Sequence, residues 1–229
     1  MVRTRIARAA EAAGRDPQSV RLIAVSKTFD AGHVSAAASA GQLDFGENRV
    51  QEAIEKIDRT AAPGLRWHLI GHLQSNKARK AAERFAWIHP IDSADLLRRI
   101  EAAAVEAGTS PRLLVQVDLA GEPAKHGARP EELGAIFAGA RTCQATRVVG
   151  LMLLPPLVDD PEQTRPYFRQ LCRVRDDLAA RGVPASMLVH LSMGMSHYFE
   201  VAIQEGATMV RVGTAIFGER TPAPTLAPP

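Results

Sequence analysis

The chain has 229 residues, 46% of them hydrophobic, and a formal net charge of +3. This length and composition suit one large α/β domain with a substantial hydrophobic core. Lysines and arginines are scattered and aromatic residues make up only 5% of the chain, which argues against a nucleic-acid-binding surface. No apolar stretch reaches the roughly 18 residues that a transmembrane helix needs, so no membrane association is predicted.

The N-terminal segment MVRTRIARAAEAAGRDP has no apolar core of signal-peptide length. Its alanine-rich pattern predicts an amphipathic helix that ends at Gly14, ahead of the first strand. At the other end of the chain, the proline-rich stretch TPAPTLAPP predicts a disordered tail over residues 221–229.

Eight apolar runs, separated by helical patterns, predict strands along the chain. Pro130 and Pro161 suit the first turns of two of the helices, and Gly108 and Gly182 suit C-terminal caps. Most runs lack alternating polar residues, which is typical of parallel strands covered on their outer side. The runs are Leu22–Lys27, Leu43–Gly46, Arg66–Ile70, Trp87–Ile91, Arg112–Asp118, Val148–Leu153, Met187–Leu191 and Thr208–Gly213.

This alternation predicts a single (β/α)8 TIM-type barrel with an extra N-terminal helix. The main alternative is an open doubly wound sheet, which usually carries a glycine-rich fingerprint after its first strand. Here Ser26, Lys27 and Thr28 follow the first strand, and they favour the barrel. The predicted barrel domain covers residues 1–220, and no composition shift indicates a second domain.

Polar side chains stand at the carboxyl ends of the predicted strands, where barrel enzymes place their active sites. Lys27 ends strand one, and Glu47 and Asn48 follow strand two. A lysine in that place commonly does no more than mark where a strand meets water, because lysines are almost never fully buried. The alternative is a reactive amine at the barrel mouth, and the first strand by itself leaves both open.

Two glycine-containing segments are predicted to follow strands seven and eight, where barrels commonly bind phosphate. One is SMGMS, Ser192–Ser196, predicted as a loop that opens a helix, and the other is VGTAIFG, with Gly213 and Thr214. Glycine lets backbone amides approach an anion, although such short segments are often only turns. A phosphate there and an amine on strand one together indicate pyridoxal phosphate, which needs an anion cradle and an amine for a Schiff base.

Six motifs of the chain resemble those of the pyridoxal phosphate homeostasis protein family: AVSKT, FGENRVQEA, WHLIGHLQSNK, GLMLLPP, LSMGMS and MVRVGTAIFGER. The resemblance runs in order from Ile6 to Arg220. It implies a single-domain barrel like the N-terminal domain of alanine racemase, with the cofactor held on the lysine of AVSKT. It also implies a cytoplasmic protein of vitamin B6 homeostasis that carries or regulates the cofactor.

The resemblance also implies the residues that bind pyridoxal 5'-phosphate. The Schiff base would form on Lys27, Asn48 would lie near the cofactor ring, and Arg211 would face the pyridine nitrogen. Five residues would hold the phosphate: Ser192, Met193, Gly194, Gly213 and Thr214. The chain departs from the family where His197 and Tyr198 replace residues that are usually acidic, and where Arg49 replaces a common tyrosine.

Two other functions stay open at this point. A racemase of the alanine racemase type needs a base on each face of the substrate, and Lys27 would supply only one. The second base would come from a partner subunit and a second domain that this chain lacks, or from Tyr198, since Tyr167 falls on a predicted helix. A scaffold that never binds the cofactor is the third possibility. We expect a cofactor carrier without established enzyme activity. It is expected to be a monomer, and its expected partners are the cofactor and the apo-enzymes that receive it.

No metal site is predicted. His68 and His72 are four residues apart, but His68 falls in a strand, Gly71 interrupts the pattern, and no third ligand is evident. We expect His68 to be a hydrogen-bonded residue that lines the barrel mouth, and His89 and His190 to pack or hydrogen-bond within strands. Other candidates are expected to be inert: Cys143 and Cys172 as reduced thiols on helices, and Lys125 as a solvated lysine rather than a second anion contact.

Overall fold

The fold is a closed barrel of parallel strands, and the computed structural model describes residues 1–60, 62–121 and 126–219. Each strand pairs with its neighbours in sequence, and the last strand pairs with the first. The described strands are β1 (Arg21–Val25), β2 (Asp44–Glu47), β3 (Arg66–Leu69), β4 (Trp87–Ile91), β5 (Arg112–Val117), β6 (Arg147–Leu153), β7 (His190–Met195) and β8 (Met209–Val212). The predicted (β/α)8 barrel is therefore confirmed.

Helices cover the outside of the barrel. They are α1 (Val2–Ala12), α2 (Ala31–Ser39), α3 (Val50–Arg59), α4 (Ala78–Arg84), α5 (Ala94–Ala107), α6 (Leu133–Ala140), α7 (Arg165–Ala180), α8 (Phe199–Gln204) and α9 (Thr214–Phe217). The extra N-terminal helix is confirmed as α1, and it packs against α8: Arg5 forms an ion pair with Glu200 and lies 4.6 Å from the ring centre of Phe199.

Strand seven was predicted wrongly. The apolar run Met187–Leu191 contains a 3-10 helix, Ala185–Met187, and the strand lies further along, at His190–Met195. The segment SMGMS is therefore mostly strand rather than loop. Its pairing with β8 shifts register between Ser192 and Met195, and Gly194 has a φ of +95°. A bulged strand that is buried on both sides does not need the apolar pattern that predicts a regular one.

The core has two parts. An outer layer of apolar side chains fills the space between the strands and the helices. Inside the barrel a smaller apolar cluster is formed by Ile23, Trp87, Leu114, Met152 and Met209. The same interior also holds buried polar side chains, and these lead from one end of the barrel towards the other.

Some predictions fall outside the described residues, namely the tail at 221–229, the domain boundary at residue 220 and the role of Lys125. Within the described ranges, no helix combines the length and the hydropathy required to cross a bilayer.

Candidate functional site

Lys27 lies in a tight turn just beyond the end of β1. Thr28, the next residue, has a φ of +72° and is the only non-glycine with a positive φ in the described part of the chain. A β-branched residue in this region is strained, and such strain persists where the surroundings fix the backbone. The amide of Ser26 donates to the Gly46 carbonyl (3.1 Å), and the amide of Phe29 donates back to the Ser26 carbonyl (3.1 Å). The backbone that carries Lys27 is therefore held on both sides.

A buried ion pair supports this turn from below. Lys56 Nζ lies 2.5 Å from Glu47 Oε1 and donates a 2.7 Å hydrogen bond to the carbonyl of Ser26. The hydroxyl of Ser26 donates to the same Glu47 oxygen at 2.6 Å. All three residues are buried, so the pair ties the end of β1 to the end of β2 next to Lys27. The sequence signal was a lysine three residues after Ala53, on the face of α3 that is otherwise buried.

The ends of β7 and β8 meet beside β1, as the phosphate prediction requires. A Cβ on Gly194 would lie 2.7 Å from the Cβ of Ala202, so only glycine fits there. The amide of Gly213 donates to Ser196 Oγ at 3.1 Å, and a Cβ on Gly213 would lie 3.1 Å from the Val25 carbonyl oxygen. Thr214 begins α9 and is exposed.

Strand register places three of the predicted binding residues at one rim. Val25 of β1 is paired with Gly46 of β2, and Ala24 is paired with Val212 of β8. In parallel strands the residues that follow such pairs emerge at the same edge. The adjacent ends of β8, β1 and β2 therefore bring Gly213, Lys27 and Asn48 to one side of the barrel mouth. Asn48 is further constrained by Gly71, where a Cβ would lie 2.5 Å from the Asn48 carbonyl oxygen.

Ser192 and Met193 lie deeper than the sequence suggested. Met193 is fully buried in the outer core layer. Ser192 is buried inside the barrel, where its hydroxyl contacts Arg211 and His89. Arg211 Nη1 donates to Ser192 Oγ at 2.7 Å, and Nη2 donates to the Leu153 carbonyl at 2.8 Å. Burial lowers the pKa of Arg211 to about 10, so the guanidinium keeps its charge at neutral pH.

A chain of hydrogen bonds continues from Ser192 through the barrel interior. His89 Nδ1 lies 3.1 Å from Ser192 Oγ, His89 Nε2 lies 3.0 Å from His68 Nδ1, and His68 Nε2 lies 2.9 Å from Asp44 Oδ1. Arg66 closes the far end with two bonds to the Asp44 carboxylate, of 2.8 and 2.6 Å. The prediction that His68 and His89 form hydrogen bonds is confirmed, but His68 is fully buried in the barrel and does not line the mouth.

The charges at both ends of this hydrogen-bonded row determine which group donates the proton in each bond. Burial opposes the ionisation of Asp44, but hydrogen bonds from Arg66 and His68 outweigh it and hold the pKa of Asp44 well below its usual range. Burial lowers the pKa of both His68 and His89, so both rings are neutral at neutral pH. A carboxylate only accepts hydrogen bonds and a guanidinium only donates them. His68 therefore donates to Asp44, His89 to His68, Ser192 to His89 and Arg211 to Ser192.

The remaining residues singled out in the sequence have structural contacts. His190 Nδ1 lies 3.3 Å from the Thr208 hydroxyl, which confirms a hydrogen-bonded histidine in a strand. His197 Nε2 donates to the Asp159 carbonyl at 2.7 Å and so joins the start of α8 to the loop after β6. Tyr198 is buried against Phe168, and burial raises its pKa to about 12.

Comparison with known proteins assigns the chain to a family. The model of the alanine racemase N-terminal domain matches residues 2–221. The pyridoxal phosphate homeostasis protein of Aquifex aeolicus is 41% identical over 216 residues, which cover 94% of each protein. That of Pseudomonas aeruginosa is 43% identical over 220 residues, 96% of this chain and 93% of that protein. The chain belongs to the pyridoxal phosphate homeostasis protein family.

Solved structures agree with this family assignment. PipY of Synechococcus elongatus PCC7942, solved with PLP bound, is 44% identical to this chain and has a TM-score of 0.83. The match covers 93% of this chain and 100% of PipY. An alanine racemase of Clostridium difficile 630 has a TM-score of 0.71 at 18% identity and covers 96% of this chain but 56% of the racemase. At that identity the racemase shares the barrel fold, and this family member matches only part of its length.

Proposed function

We propose that the chain binds pyridoxal 5'-phosphate at the rim formed by β8, β1 and β2, as a Schiff base on Lys27, and that it carries or regulates the cofactor. The observation that carries this proposal is the register that brings the Lys27 turn beside the glycine-bearing ends of β7 and β8. The names of the homeostasis relatives and the PLP-bound PipY structure support the choice of cofactor.

The residues at this rim fit the cofactor by chemistry. When bound, the cofactor supplies an aldehyde that condenses with a primary amine and a pyridine ring that withdraws electrons. Gly194 and Gly213 let the backbone pack closely where a Cβ would clash. The hydroxyl of Ser196, which accepts the Gly213 amide, and the hydroxyl of Thr214 are donors suited to a phosphate. In this proposal Asn48 contacts the ring, and the backbone at Ser192–Gly194 shapes the phosphate side.

Arg211 is proposed to face the pyridine nitrogen. Its two bonds to Ser192 and to the Leu153 carbonyl fix the guanidinium, which has five N–H donors in all. Because it keeps its proton at neutral pH, it can only donate to an acceptor in front of it. A donor of this kind leaves the ring nitrogen without a proton of its own, which restrains electron withdrawal and suits a carrier.

We propose a carrier rather than a racemase because the candidate second base is poorly suited to that role. The Tyr198 ring is buried in the core layer, and its raised pKa opposes the loss of its proton. A base must reach the proton it removes.

The proposal also includes delivery of the cofactor from a monomer to apo-enzymes in the cytoplasm, where the free thiols of Cys143 and Cys172 would stay reduced.

Borohydride reduction tests the attachment residue. The protein is incubated with pyridoxal phosphate, reduced, digested and mapped by mass spectrometry, and the adduct is expected on Lys27. Lys27→Ala should abolish the adduct, whereas Lys80→Ala, which removes an exposed lysine on α4, should leave it unchanged. An adduct that persists in Lys27→Ala at Lys56 or Lys77 would refute the assignment.

A racemisation assay with alanine distinguishes the carrier function from the alternative racemase function. We expect no turnover by the loaded protein. Turnover above about 1 s⁻¹, within the ordinary enzyme range, would overturn the carrier proposal and make Tyr198→Phe the next variant.

A further inference from the structure

Three potential metal ligands meet at the barrel mouth, on the side of β3, β4 and β5. They are His72, in the loop after β3, Asp92, directly after β4, and His126, in the segment after β5. One ligand atom from each lies within 4.8 Å of the other two. From the sequence, His72 was paired only with His68, which the fold buries inside the barrel, and neither Asp92 nor His126 was predicted as its partner.

The backbone holds His126 in place. Gln116 Nε2 donates to the His126 carbonyl, and the Ala128 amide donates to the Gln116 carbonyl at 2.8 Å. Ala128 also forms a parallel bridge with Val117, so the segment on the C-terminal side of His126 lies beside the end of β5. These contacts fix the position of His126 relative to the ends of the neighbouring strands.

The three side chains bring their ligand atoms near one another, but two of the rings are stacked rather than aimed at a common point. His72 Nδ1 lies 3.8 Å from Asp92 Oδ2, and the rings of His72 and His126 are stacked with centroids 3.5 Å apart and an angle of 13°. A tetrahedral ion with bonds of about 2.0–2.2 Å keeps its ligand atoms roughly 3.4 Å apart. The ligand atoms therefore need to approach by up to about 1.4 Å, and the exposed His126 ring must rotate out of the stack so that its nitrogen lone pair points at the ion.

We propose that His72, Asp92 and His126 bind a divalent transition-metal ion of the zinc class, with water in the fourth position. Two imidazoles and one carboxylate form a donor set that binds such ions in preference to Mg²⁺ or Ca²⁺. The ion would fasten the segment at His126 to the ends of β3 and β4. Gly71, next to His72, packs on the Asn48 backbone, so this site borders the proposed cofactor rim without sharing its residues.

Titration with CoCl2 in the absence of pyridoxal phosphate tests the site, because four-coordinate Co²⁺ reports its own geometry through its visible bands. We expect those bands to saturate at about one equivalent and ZnCl2 to displace them. His126→Ala and Asp92→Asn should each weaken binding at least about tenfold, since even changes beyond the direct ligands cost 10–100-fold.

His33→Ala is the matched control. His33 is exposed and paired with Asp30 at 2.8 Å, and no third ligand joins this pair among the residues that the structure describes. This variant should bind Co²⁺ as the unmodified chain does, and circular dichroism verifies that all variants are folded. Absence of the four-coordinate bands, equal affinity in His126→Ala and Asp92→Asn, or loss of the bands in His33→Ala would each overturn the proposal.

Discussion

Ser192→Ala removes the hydroxyl that joins Arg211 to the histidine chain. In the native barrel, Arg211 Nη1 donates to this oxygen at 2.7 Å, and the hydroxyl proton points to His89 Nδ1 at 3.1 Å. All three residues are buried. The substitution therefore leaves a charged donor and a neutral acceptor inside the barrel, each short of one partner.

The magnitude follows from these two bonds. A hydrogen bond to a charged group contributes about 1.5–3 kcal/mol and a neutral one about 0.5–1.5 kcal/mol. Since one oxygen atom is removed, the cavity term is small beside them. We expect the free energy of unfolding to fall by about 3 kcal/mol, and Tm by about 6–12 °C for a chain of this size.

Thermal and urea unfolding at neutral pH without cofactor measure this effect. Ser196→Ala is the control, because the Ser196 hydroxyl accepts the single Gly213 amide bond at a half-buried position, and its loss should cost no more than about 1.5 kcal/mol. If Ser192→Ala is as stable as the unmodified chain, or no less stable than Ser196→Ala, then Ser192 does not hold Arg211.

Three further predictions concern other polar contacts. Lys56→Met leaves the Glu47 carboxylate buried and unpaired, so it should destabilise the fold by about 3–5 kcal/mol in urea unfolding, and Glu47→Gln in the same chain should recover part of the loss. Burial opposes ionisation of Glu101, but bonds from Thr146 and the amides of residues 144–146 lower its pKa from 4.5 to about 2. Its stabilising contribution should thus be complete above pH 4.5 and disappear as the pH falls towards 2, so unfolding curves of Glu101→Gln should converge with the unmodified chain in that range; a constant difference would contradict this. Thr214→Val should weaken pyridoxal phosphate binding by about 1.5–3 kcal/mol in an equilibrium titration, and unchanged affinity would place the phosphate elsewhere.

The barrel could be predicted because most of its strands are apolar on both faces and alternate with helical patterns. Strand β4 was predicted with its observed bounds, Trp87–Ile91. Strand β7 was misplaced because the apolar residues Met187–Val189 precede it, while the strand itself contains serine and a glycine at positive φ. Pairing on both edges, rather than its own hydrophobicity, keeps that segment extended.

The rim could be predicted in part, because parallel pairing brings the ends of neighbouring strands together whatever their sequence separation. Lys27 and Gly213 were located in this way. The contacts of Ser192 with His89, and of His72 with His126, could not be found, because they join residues that are 103 and 54 positions apart. Such contacts depend on which side chains turn inwards and on how the segment after β5 returns to the barrel.

The hydrogen-bonded row from Arg211 to Asp44 gives the barrel interior an electrical polarity. Every dipole in it points the same way, because a cation that only donates stands at one end and a carboxylate that only accepts stands at the other. If a single hydrogen bond of the row reversed its direction, two protons or two lone pairs would face each other at the neighbouring contact. The charge of Asp44, at the start of β2, therefore sets the orientation of the buried Ser192 hydroxyl on β7 across the barrel interior, without any movement of the backbone.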